Sequence, residues 1–385
     1  MPYVLEKINM RCYGSKVSGR GREGGRGARA RARPLTPPPP PQPASFTNLV
    51  PSGLLPVIEM DGRVVTESTV IMDLIEHSFP DHAPLVPTDP AAASRHAALL
   101  RLERRLFGDW LDWLCRGGGG RAAFWTTLSA VDAAIGDTGG PYMMGPDLTL
   151  ADVAYAPWLE RMVASIGYFK GELVRGTGDR PHLDAWFAAM EARPAYIALK
   201  SDAYTHAHDL PPQLGGCVAV PTEARAAAAA ALDGADGRAW RLPLAAPLAT
   251  GPIDFWPGED PPADRLRAAA RLVANREAIA RFAARGSAPP GAPRVSAPLA
   301  DPNASADVEA LPAVDAALRA VAHALLEGRD EVRVETAASG LDAARAAACL
   351  AYMRDRVGVP RDLPLPAARQ LRAHLNAFID AVAAE

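Results

Sequence analysis

Hydrophobic and polar positions change period several times along this chain, and each change marks an element. In PVIEM and RVVTE (56–60 and 63–67) short apolar runs flank Asp61-Gly62, a dipeptide whose tolerance of positive φ makes it a two-residue hairpin turn. Pro56 has no N–H to give to a ladder, so its strand begins there or lies at a sheet edge, and Leu55–Pro56 is a candidate cis bond. Directly afterwards Val70, Ile71, Leu74, Ile75 and Phe79 recur at helical spacing. The stretch predicts a β-hairpin followed by a helix, with Glu67 and Ser68 at the helix start. Free backbone N–H groups and two polar side chains can hold a small charged ligand there.

Further on, period 3.6 dominates. Leu99, Leu102, Leu106, Trp110, Trp113 and Leu114 make an apolar stripe at spacings of three and four, which predicts a core-facing helix stopped by Gly117 to Gly120. AAFWTTLSAVDAAIG is a second helix. In DLTLADVAYAPWLERM, Thr149 and Asp152 fit the capping-box pattern, in which hydroxyl and carboxylate satisfy backbone N–H groups reciprocally. Few charges follow until Glu160 and Arg161, so this helix is expected to run buried through its domain. PHLDAWFAAMEARPAYIAL is one more amphipathic helix, opened by Pro181 and halted at Pro194. After Pro211-Pro212 the composition turns to alanine and proline. Five segments predict helices there: 224–235, 261–286, 310–328, 340–358 and 364–385. RAWRLPL and EVRVET are possible strands, a Ser/Pro/Ala-rich loop separates Gly286 from Asp307, and no repeat of fixed period appears.

Composition narrows the class. The 385 residues suffice for two or three domains, and a net charge of −3 gives no global pull toward nucleic acid or anionic lipid. No apolar run reaches the roughly 20 residues of a membrane-spanning helix. A soluble protein without a membrane partner is expected. The four cysteines, Cys12, Cys115, Cys217 and Cys349, include no CxxC pair, which suits reduced thiols in a reducing compartment, cytoplasm or organellar stroma. No targeting segment is visible: PYVLEKINM near the start reads as a strand already inside a domain. Residues 17–43, rich in Gly, Arg and Pro, predict a disordered insertion. Its six arginines could track phosphates, but no aromatic interleaves them for base stacking. Nucleic-acid binding is therefore not the expectation.

Taken in order, LLPVIEMDGRVVTESTVIMDLIEHSFP and PYMMGPDLTLADVAYAPWLERM resemble the glutathione transferase family over roughly residues 1–210. The resemblance implies an α/β plus all-α architecture. An incomplete thioredoxin-like domain occupies 1–88 with the insertion at 17–43, a glutathione-transferase-type all-α domain occupies 89–212, and a mostly helical extension of unknown role follows at 213–385. It also implies a site in which Leu55, before Pro56, pairs through its backbone with the cysteinyl part of glutathione, while Glu67 and Ser68 hold the γ-glutamyl end. An extended peptide adding to a sheet edge and an anion at a helix N-terminus are both physically sound. Glutathione would act as co-substrate with a hydrophobic or electrophilic small molecule, by thiol transfer or thiol–disulfide exchange, in a chain expected to dimerise as its family does. The alternative is a non-catalytic binding or assembly module whose interaction surface lies in 213–385.

The chain is read as starting after the family's first βα unit, where the thiol-activating residue sits. Cys12 and Tyr13 fall in an expected loop after PYVLEKINM and receive no catalytic role, so the catalytic residue is left unassigned. Joining MRCYGSK to PASFTNLVPSG would give a short strand-to-helix connection, which makes the arm a loop insertion or an unspliced intron. His206, His208 and Asp209 would share a side only if extended, and two imidazoles and one acid fall short of a metal ligand set. No metal is expected. Trp110, Trp113, Trp125 and Trp158 are read as core before pocket lining, and Arg281, Arg285, Arg354, Arg356, Arg369 and Arg372 as solvated helix faces.

Overall fold

A two-residue turn, with Gly62 at φ 74°, joins β2 (Val57–Met60) to β3 (Arg63–Thr66) in antiparallel register, Ile58 opposite Val65. The computed structural model describes residues 11–13, 48–51, 56–60, 62–79, 84–116, 119–214, 216–235, 240–244, 260–287, 306–332 and 340–384. Within these, β1 (Arg11–Tyr13) pairs antiparallel with the other side of β2, giving the sheet order β1-β2-β3. Cys12 and Tyr13 thus belong to a strand, where the sequence places a loop: backbone pairing with the unsatisfied edge of β2 competes successfully with loop geometry. Helix α1 (Ser68–Ser78) lies on this sheet through Ile71, Leu74 and Ile75, packed with Ile58, Met60 and Val65. Val70, counted in the same apolar stripe, is instead half exposed, because its position falls off the Ile71–Ile75 face. The PYVLEKINM strand, the arm at 17–43 and Leu55 lie outside the described residues.

A linker and six helices continue the chain. The Glu76 carboxylate of α1 accepts from the Leu85 and Val86 N–H groups, and the Leu85 carbonyl accepts from the Leu150 N–H at 2.8 Å. Helix α1, the linker and the next domain's central helix are tied in sequence. That domain comprises α2 (Pro90–Arg116), α3 (Arg121–Gly136), α4 (Leu150–Lys170), α5 (Pro181–Glu191), the single turn α6 (Pro194–Ile197) and α7 (Ala203–Leu214). One core joins them, with Leu106, Trp110 and Leu114 of α2 against Phe124, Leu128 and Ile135 of α3 and Tyr155, Leu159 and Met162 of α4. The expected capping box is present: the Asp152 carboxylate accepts from the Thr149 N–H and hydroxyl, each at 2.8 Å. Its other oxygen accepts from the Met143 N–H and from Trp186 Nε1, both at 2.8 Å. Buried at its start and along its length, α4 is the domain's axis.

Helix α7 runs on through Pro211 and Pro212 to Leu214. Beyond it come α8 (Glu223–Asp233), α9 (Pro261–Ala274), α10 (Arg276–Ala283) with a 3-10 turn at Ala284–Ser287, α11 (Leu311–Glu327), α12 (Gly340–Arg354) and α13 (Leu365–Ala384). Residues 261–286, read as one helix, divide at Asn275, whose φ of −123° leaves the helical region. Residues 240–244 of RAWRLPL form no strand. Helices α9 to α13 enclose a second core of Leu272, Val314, Leu325, Leu350, Leu371 and Phe378.

The two cores meet at α7, and here the arginine reading is overturned. Arg369 and Arg372 are buried, Arg372 completely. Arg372 donates to the Asp202 carboxylate at 2.6 Å, to the Val357 carbonyl at 2.6 Å and to the Thr205 hydroxyl at 3.0 Å, with its guanidinium 4.3 Å from the Tyr204 ring centroid. A guanidinium leaves water only where a carboxylate and carbonyls replace its hydration, and those partners lie far away in sequence. Arg354 is likewise drawn in, to Asp355, Tyr204 and Asn376.

Candidate functional site

The resemblance places its site at the sheet edge and the start of α1. Pro56 precedes β2, which is the central strand of the sheet and not an edge, and Ser68 is the first residue of α1. Leu55 lies outside the described residues. Glu67 and Ser68 are both exposed. Glu67 stands at φ 70°, ψ 116° and is the only described non-glycine residue with positive φ, a conformation that costs a residue with a Cβ on the order of 1–3 kcal/mol and persists where its surroundings impose it. Among the described residues, no side-chain hydrogen bond caps this helix at Glu67. The N–H groups of its first turn carry the partial positive charge of the helix dipole. A carboxylate fits that end, and an ammonium fits the Glu67 side chain. The structure thus brings Pro56, Glu67 and Ser68 to one end of the β2–β3 hairpin.

The remaining candidates sort differently. Thr149 and Asp152 are sealed inside the helical domain and organise α4, not a ligand. His206 and His208, on helical α7, part ways: His206 Nε2 lies 3.3 Å from Glu160 and His208 Nε2 2.9 Å from Asp233. Burial holds the His206 imidazole below its ordinary value, with Glu160 pulling the other way. Among the described residues no three His, Cys, Asp or Glu side chains converge as metal ligands. Trp110 and Trp113 are core, while Trp125 and Trp158 pack half-buried against it. Trp158 and Phe107 have ring centroids 4.5 Å apart, with Arg161 5.5 Å from the Trp158 ring.

Sequence spacing missed one cluster altogether, the pairing of Cys115 with Cys217 beside Lys170. The two cysteines sit at the ends of separate helical stretches, and nothing local in either stretch signals the other.

Comparison with known proteins follows the same division of the chain. Residues 26–78 match the family described as glutathione S-transferase, N-terminal domain, and residues 88–189 that described as glutathione S-transferase, C-terminal domain. Glutathione S-transferase DHAR2 of Arabidopsis thaliana is 28% identical over 131 residues, 33% of this chain and 57% of that protein. Glutathione S-transferase L1 of the same plant is 29% identical over 158 residues, 40% of this chain and 63% of that protein. The chain thus spans about three-fifths of the length of these relatives. Among solved structures, dehydroascorbate reductase of Chlamydomonas reinhardtii is 24% identical over 40% of this chain and 70% of that one, with a TM-score of 0.32. With both family domains matched in chain order, and a hairpin–helix edge and a capping-box helix at the places the resemblance puts them, this protein belongs, over residues 26–189, to the glutathione transferase family.

Proposed function

We propose that this chain binds glutathione at the segment leading into β2 and the N-terminus of α1, and uses it either to transfer the thiol to an electrophilic, largely hydrophobic small molecule or in thiol–disulfide exchange. The observation that carries this reading is the start of α1, where a strained, exposed Glu67 that makes no cap hydrogen bond of its own presents a carboxylate beside the first-turn N–H groups. The γ-glutamyl end of glutathione bears an ammonium and a carboxylate, the complementary pair. Glu67 would accept from the ammonium. Ser68 and the first-turn N–H groups would donate to the carboxylate, and the backbone at Leu55 would pair with the extended cysteinyl part as an added strand. Glutathione itself supplies the sulfur nucleophile. The chain orients it, and Phe107 and Trp158 offer half-buried aromatic surface to an apolar co-substrate.

Calorimetric titration with glutathione tests the site. Glu67→Ala and Ser68→Ala are each expected to weaken binding about tenfold or more, the loss of a charge-assisted hydrogen bond, and to reduce turnover in step. Unchanged affinity in both variants overturns the assignment. Absence of binding to the unaltered chain favours the alternative of a non-catalytic module, whose partner capture then depends on residues 213–385.

A further inference from the structure

The end of α2 and the segment leaving α7 run side by side. The Val218 N–H donates to the Leu114 carbonyl at 2.8 Å, and Lys170 Nζ, from the last residue of α4, donates to the Val218 carbonyl at 2.7 Å. This pairing brings Cys115, which follows Leu114, next to Cys217, which precedes Val218. Both are half-buried free cysteines. Lys170 is itself buried, its ammonium 5.8 Å from the Trp113 ring centroid. The hydrogen bond from Cys217 holds the Cys115 thiol below its ordinary value against the effect of burial, with Lys170 and Arg116 assisting. That same hydrogen bond, together with burial, pushes Cys217 up. A thiolate shared between two sulfurs beside an ammonium is the setting in which a cysteine becomes an attacking group. Cys349, by contrast, is fully buried in the other core.

We propose that Cys115 and Cys217 form a redox-active dithiol that reduces low-molecular-weight disulfides. The Cys115 thiolate attacks one sulfur of R–S–S–R. A Cys115–S–S–R bond forms, the original S–S bond breaks, and RS⁻ leaves with its electron pair. Cys217 then loses its proton to water and attacks the Cys115 sulfur, forming Cys115–S–S–Cys217 and releasing the second RS⁻. Two protein thiols are oxidised, one small disulfide is reduced, and the two protons of the cysteines end on two RSH molecules. Excess thiol runs the exchange backwards. None of these steps involves Glu67 or Ser68, so this chemistry stands apart from the glutathione site.

The test incubates the full chain with bis(2-hydroxyethyl) disulfide, quenches with N-ethylmaleimide and maps peptides by mass spectrometry. The expected result is a Cys115–Cys217 linked peptide, with alkylation of both residues reduced about tenfold or more against the untreated protein. Cys217→Ser should instead retain a hydroxyethylthio group on Cys115, and Cys349→Ser should behave as the unaltered chain. Recovery of Cys115 and Cys217 fully alkylated, or mixed disulfide confined to Cys12 or Cys349, overturns the proposal. The mapping of the unaltered chain decides this whether or not a variant folds. Because the probe is not glutathione, failure here leaves the α1 site untouched.

Discussion

At the scale of single residues, Asp209 shows burial prevailing over the charges around a carboxylate. Its carboxyl is pushed up to about 6 by burial, against the pull of Arg361, whose guanidinium is 3.9 Å away. In the unfolded chain an aspartate titrates near ~3.9. A folded value above the unfolded one means that the protonated form favours folding. The contribution is fully present below about pH 4 and is lost as the pH rises through about 6. Asp209→Asn is therefore expected to be more stable than the unaltered chain near pH 8, by on the order of 2 kcal/mol, with the difference closing below about pH 4. Urea unfolding at both pH values reads it, and equal stability at pH 8 would refute it. Asp202 has the opposite sign. Burial works against its charge, yet Arg372 and the Thr205 hydroxyl hold its carboxyl below the ordinary value. Two aspartates on neighbouring turns thus respond oppositely to acid, a distinction the sequence does not contain, since what separates them is the distance to an arginine far along the chain.

Elements were legible where their signals are local. The Asp-Gly turn, the helix start at Glu67-Ser68, the Thr149/Asp152 box and the proline-opened helices each depend on residues within a few positions of one another, and all appear where periodicity and caps put them. The misses have the same explanation turned around. Val70 fits an apolar count but not the face that meets Ile58. Residues 261–286 carry continuous helix propensity, yet Asn275 breaks them so that α10 can turn onto α11. The Arg369/Arg372 stripe reads as a solvated face because Asp202 and Thr205, which draw Arg372 inside, lie far back along the chain. What the sequence could not reveal of the box is its reach: Asp152 also accepts from Met143 and Trp186. Asp152→Ala strands those donors inside the core, so chemical denaturation should show a loss of about 3 kcal/mol or more, beyond the ~1 kcal/mol of an ordinary helix cap. Thr149→Ala, which spares the donors, should lose about 1 kcal/mol. Equal losses would mean that the carboxylate serves the cap alone.

On the scale of the whole molecule, α7 is the seam. Tyr204 donates to Asp355 at 2.6 Å, the Val359 N–H to the Thr205 hydroxyl at 3.1 Å, and Arg372 pairs with Asp202. The polar side of one helix is thereby satisfied by the distant end of the chain. Arg372→Met and Asp202→Asn should each destabilise by about 3 kcal/mol or more, because each leaves its partner's polar groups buried without their counter-charge. The double variant should lose markedly less than the sum. Monitored by tryptophan fluorescence and by far-ultraviolet circular dichroism, urea unfolding should proceed in one transition that includes both cores. Two separated transitions, or strict additivity, would show that the seam holds nothing together.

That seam also sets an order in time. Asp202 is synthesised 170 residues before Arg372, so while the ribosome extends the chain the helices around α4 can collapse, but their last wall still faces water with an unanswered negative charge. Until α13 emerges, α7 is the side of the nascent domain open to chaperones and proteases, and the closing of Arg372 onto it is the event that ends that exposure.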